Sequence, residues 1–216
     1  MTQVAQALPY GLVNFWSFSS SSLKDLQTGL SLTNPTSYSL LFGADHATGR
    51  LSSSIYLNGN NYLQLPSATY FSGYFTITAW VNIWGTTNPY PRIIDCGVSY
   101  WYTNSITLFW SSNLMPGLQV YVKPSSTIFY STKAFTLNTW GHIAAVYGQS
   151  ANYIYMNGVV TGLSSYMISY PIVTRTNCYI GHSGNGDPNS KSYFDDIVSR
   201  LLWKLVFYVL IVNRLN

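Results

Sequence analysis

The chain has 216 residues, enough for one large β-sandwich with a substantial core. Only 7% of its residues are charged, yet 47% are hydrophobic and 17% aromatic, a balance that excludes a disordered chain. The net charge of +4 is thinly spread, its one local excess being Lys191, Arg200, Lys204 and Arg214, which excludes the dense basic stripe of a nucleic-acid binder.

The opening stretch MTQVAQALPYGLV lacks a basic segment followed by an apolar one, so no signal peptide is read there. The chain is then either cytosolic or a piece of a larger gene product. Downstream, period-two alternation dominates. Ser54–Leu57, the Asn58-Gly59 turn and Tyr62–Leu65 read as strand, turn and strand. Phe75–Val81 alternates β-branched and aromatic residues as a half-buried strand requires. Ile106–Phe109 and Leu118–Val122 are two further predicted strands, and Ile143–Tyr147 is another. In Tyr153–Val160 the pair Asn157-Gly158 separates two β runs, which predicts a hairpin with a type I′ turn. Turn-rich segments at 19–22, 85–91 and 181–190 punctuate the rest. No repeat of about 20–50 residues and no convincing amphipathic helix is present, so many short strands imply a sandwich or barrel. Leu201–Val212 is apolar except for Lys204 and is too short for a membrane span of about 20 residues. It is a long final strand, a packing helix or an abnormal sequence end.

Several segments, in this order, resemble the laminin-G-like branch of the concanavalin A-like lectin superfamily. Asn14–Phe18 looks like its opening strand, Lys24-Asp25 like the acidic turn that follows, and Ala44-Asp45-His46 to Gly49 like an Asp-containing turn. Tyr56-Leu57-Asn58-Gly59 and Phe75–Val81 match two further steps. Thr139–Tyr147 followed by Tyr155-Met156-Asn157-Gly158 is the most distinctive pair, and Tyr179-Ile180-Gly181 and Phe194–Ile197 resemble closing segments. The resemblance implies an all-β, antiparallel two-sheet jelly-roll sandwich over residues 10–197. Residues 198–216 form a divergent apolar tail that does not match the family's closing pattern. It also implies a carbohydrate- or protein-binding module for adhesion or recognition, inside a larger extracellular protein, with a glycan or an extracellular protein as partner. A structural spacer without its own ligand is the alternative, and a glycoside hydrolase the third reading.

The carboxylates weigh against the third reading. No glutamate occurs, and the six acids are Asp25, Asp45, Asp95, Asp187, Asp195 and Asp196. Glycosidic hydrolysis needs a close carboxylate pair, so no enzyme is expected. Family members often hold calcium at one rim, which makes Asp25 and Asp45 the candidate ligands; the competing reading is turn capping by each side chain. His46, His142 and His182 show no zinc spacing. The candidate ligand-binding residues are aromatic. Tyr100-Trp101-Tyr102 falls in a predicted loop, where three adjacent rings cannot all point inward, and Tyr90 stands between two prolines. A flat ring stacks on the C–H face of a sugar while neighbouring polar groups take its hydroxyls. These rings could instead fold back over the sandwich edge. Trp16, Trp80 and Trp140 lie in strand-like runs and are assigned to the core. Cys96 and Cys178 are either two small buried apolar residues or a disulfide across the sandwich.

Overall fold

The computed structural model describes residues 14–16, 18, 22–43, 54–57, 61–71, 73–83, 91–98, 104–183 and 203–206. Among these residues there are thirteen strands and no helix. They are β1 (Leu41–Gly43), β2 (Ser54–Leu57), β3 (Leu63–Gln64), β4 (Phe75–Asn82), β5 (Arg92–Gly97), β6 (Ser105–Trp110), β7 (Pro116–Val122), β8 (Ser125–Tyr130), β9 (Trp140–Tyr147), β10 (Asn152–Met156), β11 (Val159–Ser164), β12 (Asn177–Ile180) and β13 (Trp203–Val206). Seven strands form one sheet in the order β1-β2-β13-β4-β9-β10-β11, and six form the other in the order β3-β12-β5-β6-β7-β8. All the pairings are antiparallel, and the chain passes between the sheets as a jelly-roll sandwich does.

Alternation decides which side chains meet between the sheets. In β4, Phe75, Ile77, Ala79 and Val81 point inward; in β9, Ile143, Ala145 and Tyr147 do; and from the other sheet Ile94, Cys96, Ile106, Leu108, Leu118 and Val120 face them. The intervening residues occupy the outer faces. This corrects the assignment of Trp80 and Trp140 to the core. Both fall on the alternate phase of β4 and β9 and are half-buried on the outer face of the seven-stranded sheet, where Trp80 packs on His142 at 5.2 Å between ring centroids. Trp16, by contrast, is fully buried.

The β10–β11 hairpin forms as its sequence predicts. Asn157 (φ 50°) and Gly158 (φ 81°) both take the left-handed conformation that a type I′ turn requires. Ser125–Tyr130 forms a strand without alternating hydrophobicity, its Thr127 and Phe129 turned inward while its serines, Ile128 and Tyr130 are exposed.

The segment at Asn14–Phe18 differs from the expected opening strand. Its described residues have no regular secondary structure, because their backbone groups bond elsewhere: the Phe15 amide donates to the Asp25 carboxylate and the Phe15 carbonyl accepts from the Leu26 amide. In the apolar tail, residues 203–206 form β13, seated between β2 and β4. Its Leu205 takes the register position between Ile55 and Val81, both core residues.

Cys96 and Cys178 are bonded to each other. The bond lies within one sheet and not across the sandwich, because the two residues are direct partners on adjacent strands β5 and β12.

One end of the core is aromatic. Phe75 stacks on Tyr147 with centroids 5.4 Å apart, Phe71 packs on Phe75 at 4.9 Å, and Tyr170 meets both stacked rings edge-on. Tyr70, Tyr147 and Tyr170 donate their hydroxyls to the carbonyls of Pro66, Ile168 and Gly73. Burial raises the pKa of all three phenols above the ordinary value of 10, since it disfavours the charged form. The buried Arg175 guanidinium lies over Phe71 and Tyr170, and desolvation lowers its pKa. In the unfolded chain the phenols ionise near pH 10, whereas in the fold they stay neutral to higher pH. Their contribution is therefore complete below pH 10 and is lost as pH rises above it. The single Arg175 shift works in the opposite sense and does not offset three tyrosines. A urea-unfolding series is expected to show stability falling steeply from about pH 10 upward. A flat profile above pH 10 would contradict this packing.

Candidate functional site

The alternation that sends Ile94 and Cys96 into the core sends Asp95 to the outer face of the six-stranded sheet. Register then aligns a single row across all six strands: Gln64 on β3, Tyr179 on β12, Asp95 on β5, Thr107 on β6, Gln119 on β7 and Ile128 on β8. The next row toward the other strand ends contains Arg92, Phe109, Gly117 and Tyr130.

At the centre, Asp95 is 2% exposed. Its carboxylate accepts hydrogen bonds from Thr107 Oγ1 at 3.0 Å and Ser183 Oγ at 3.1 Å. Arg92 Nε lies 3.8 Å from Asp95 Oδ2, and the guanidinium carbon is 5.4 Å from the centroid of the Phe109 ring. The pair is an ionic contact without hydrogen-bond geometry, held between an aromatic face and a carboxylate. Both charges are buried, so each stabilises the other in a place where neither could remain alone.

Aromatic groups flank this centre. On one side Tyr62 stacks on His182 at 4.1 Å with 14° between planes, and Tyr179 meets both rings edge-on at 5.7 and 5.4 Å. All three are half-buried, so part of each ring faces solvent. On the other side Phe109 and Tyr130 meet edge to face at 5.6 Å across Gly117. A Cβ on Gly117 would fall 2.7 Å from Phe109 Cζ and 3.0 Å from Tyr130, so only glycine allows this contact. The face thus joins flat rings with the amides of Gln64 and Gln119 and the hydroxyls of Tyr121 and Ser126, groups that both donate and accept.

The outer face of the seven-stranded sheet is different. It presents Trp80, Trp140, His142, Tyr153 and Tyr155, and then the exposed Val160 and Leu163 on β11, with Thr76, Thr78 and Asn82 on the same phase of β4 as Trp80. Burial lowers the pKa of His142, which keeps this face uncharged there near neutral pH.

The sequence-derived site residues divide as follows. Tyr90, Tyr100, Trp101 and Tyr102 lie outside the described residues; along the chain they flank the two ends of β5, the strand that carries Asp95. Asp45 also lies outside them. Asp25 is 1% exposed and accepts four hydrogen bonds, from Asn14 Nδ2, the Phe15 and Gln27 amides and Thr28 Oγ1. Four bonds use the accepting capacity of a carboxylate. Calcium needs six to eight oxygen ligands, whereas the groups converging on Asp25 are N–H and O–H donors, which do not fit a cation at this carboxylate. Asp25 caps its turn and ties the Asn14–Trp16 segment to it. Among the described residues, no cluster of three or more His, Cys, Asp or Glu side chains could hold a metal ion. Nor is any helix among them long and apolar enough to cross a membrane.

Sequence reasoning passed over Asp95, Tyr62 and His182. The first was legible from the alternation around it; the Tyr62–His182 contact joins residues far apart in the chain and leaves no local signal.

No curated protein sequence matches this chain. Solved structures share its fold. Domain 4 of AbnA, an extracellular GH43 arabinanase from Geobacillus stearothermophilus, determined in complex with arabinotriose, superposes with a TM-score of 0.67 at 16% identity, over 94% of each chain. The binding domain of botulinum neurotoxin DC in complex with SialylT gives 0.63 at 11% identity, over 96% of this chain and 49% of that one. Trypanosoma rangeli sialidase gives 0.61 at 17% identity, over 97% of this chain and only 32% of the sialidase. A family model of laminin-G type, described as "Concanavalin A-like lectin/glucanases superfamily", matches residues 57–198. The match takes in β3 to β12, including every strand of the six-stranded sheet, and the chain belongs to the concanavalin A-like lectin/glucanase superfamily, in its laminin-G-like branch.

Proposed function

We propose that this chain is a non-catalytic glycan-binding module of an extracellular protein, and that it binds its ligand on the outer face of the six-stranded sheet. The observation that carries the proposal is the set of solvent-reached groups on that face, Gln64, Tyr179 and Gln119 with the Tyr62–His182 stack and Tyr130, arranged around a buried centre of Asp95, Thr107 and Phe109 that fixes their positions. Oligosaccharides need flat apolar surface and hydroxyl-matching groups together, and this face has both. Two structural relatives were determined with bound carbohydrate or a sialyl ligand, arabinotriose and SialylT, which supports the same class of ligand. A chain without glutamate supports binding without turnover. The Cys96–Cys178 bond supports an oxidising, extracellular setting.

A glycan array probed with the purified protein tests the proposal. Binding to a defined set of glycans is expected, weakened about tenfold by Tyr62→Ala and by Gln119→Ala, each of which removes a ring contact or a hydrogen-bonding amide. Tyr153→Ala and Tyr155→Ala, on the opposite sheet, should leave it unchanged. No binding to any glycan would favour the spacer reading. Hydrolysis of a bound polysaccharide that disappears on one Asp substitution would overturn the non-catalytic assignment.

A further inference from the structure

We propose that the ligand is a neutral oligosaccharide, without carboxylate, sulfate or phosphate; this rests on the glycan-binding face just described. Recognition of an acidic sugar needs a cation free to meet it, and a guanidinium does so best through paired N–H groups. Among the described residues, the strands of this sheet hold one cation, Arg92, and it is already committed. Asp95 lies 3.8 Å from its Nε and the Phe109 ring centroid 5.4 Å from its guanidinium carbon, with Arg92 itself 8% exposed. Both charges of the pair are buried, Asp95 being 2% exposed, so the pair presents no charge to a ligand on this face. An anionic ligand could reach Arg92 only by drawing it out and leaving the Asp95 carboxylate buried without its counter-charge, which is unfavourable.

The other described cations stand apart from the row. Arg175 is buried under Phe71 and Tyr170 and donates to the carbonyls of Asn104 and Phe71. Lys24 and Lys133 are exposed outside the sheet, Lys204 belongs to the seven-stranded sheet, and Lys123 lies in the turn between β7 and β8. What the face does offer is neutral. The amides of Gln64 and Gln119 and the hydroxyl groups of Tyr121, Tyr179 and Ser126 each supply a donor and an acceptor, as sugar hydroxyls do. Tyr62 and His182 add a stacked pair of rings.

Isothermal titration of the full chain tests this directly. The probes are neutral arabino-, xylo- and galacto-oligosaccharides and, as acidic counterparts, oligogalacturonate and sialyllactose, each at low and at high salt. At least one neutral probe is expected to bind about tenfold or more tightly than either acidic one, with an affinity that salt does not change. That affinity should fall with Tyr62→Ala. Tighter binding of an acidic probe, weakened by salt and lost in Tyr62→Ala or Gln119→Ala, would overturn the neutral assignment while leaving the face in place. Loss of acidic binding in Lys123→Ala would overturn it also, by moving charge recognition to the β7–β8 turn. No binding of any probe by folded protein would overturn both the assignment and the glycan-binding reading beneath it.

Discussion

Deleting residues 201–216 is expected to cost about 5 kcal/mol or more, a large share of the whole stability of a domain of this size. The reason lies in the position of β13. It is not an edge strand: it pairs with β2 on one side and β4 on the other, and it alone connects the β1–β2 pair to the rest of the seven-stranded sheet. Without it, Val81 in β4 and Ile55 and Leu57 in β2 lose their neighbours in register, and full exposure of each such side chain costs about 1.5–3 kcal/mol. The facing edges of β2 and β4 would also be left open to association. Urea unfolding of the truncated protein measures the loss. A truncated protein equally stable and more soluble would show that the tail is no part of the native sheet.

The second large effect is expected from the disulfide. Cys96 and Cys178 close a loop with a sequence separation of 82, and both are fully buried. In the chain-entropy account a closed loop of this length contributes about 4.5 kcal/mol, through the freedom it removes from the unfolded chain. The double variant Cys96→Ala/Cys178→Ala should lose about that much in urea unfolding. Each single variant should lose nearly as much as the double, because either removes the bond entirely. The bond also has a bearing on the binding face. It joins β5, which carries Asp95, to β12, which carries Tyr179 and leads into His182 and Ser183. Glycan affinity should therefore fall together with stability. A loss below about 1 kcal/mol, with affinity intact, would contradict both roles.

Much of this architecture was legible along the chain, for physical reasons that vary by element. The β10–β11 hairpin could be read because Asn-Gly states its turn geometry locally. β4 and β9 could be read because both alternate with period two, yet Trp80 and Trp140 were assigned to the core because they lie in strand-like runs, without regard to phase. The phase set by Ile77, Ala79 and Val81 places Trp80 outside, and that of Ile143 and Ala145 does the same for Trp140. Asp95 follows by the same rule from Ile94 and Cys96. β8 could not be read, because an edge strand beginning Ser125-Ser126 buries only Thr127 and Phe129 and needs little hydrophobic pattern. β13 was one of several readings of its segment, since a nearly continuous apolar run suits a strand or a helix equally. Of the binding face, the Tyr62–His182 stack and the Arg92–Asp95–Phe109 contact depend on strand order and register, which no local motif expresses. Asp25 sits at the acidic turn its motif suggests; what the motif did not state is that four donors converge on it.

The central claim is that the outer face of the six-stranded sheet holds the glycan. An amide-resolved NMR titration with the tightest-binding neutral oligosaccharide tests it most directly. The account predicts shifts concentrated at Tyr62, Gln64, Tyr179, His182, Thr107 and Gln119, with Trp80, Trp140, Tyr153 and Tyr155 unmoved. Shifts confined to those last four residues would place the ligand on the seven-stranded sheet and contradict it.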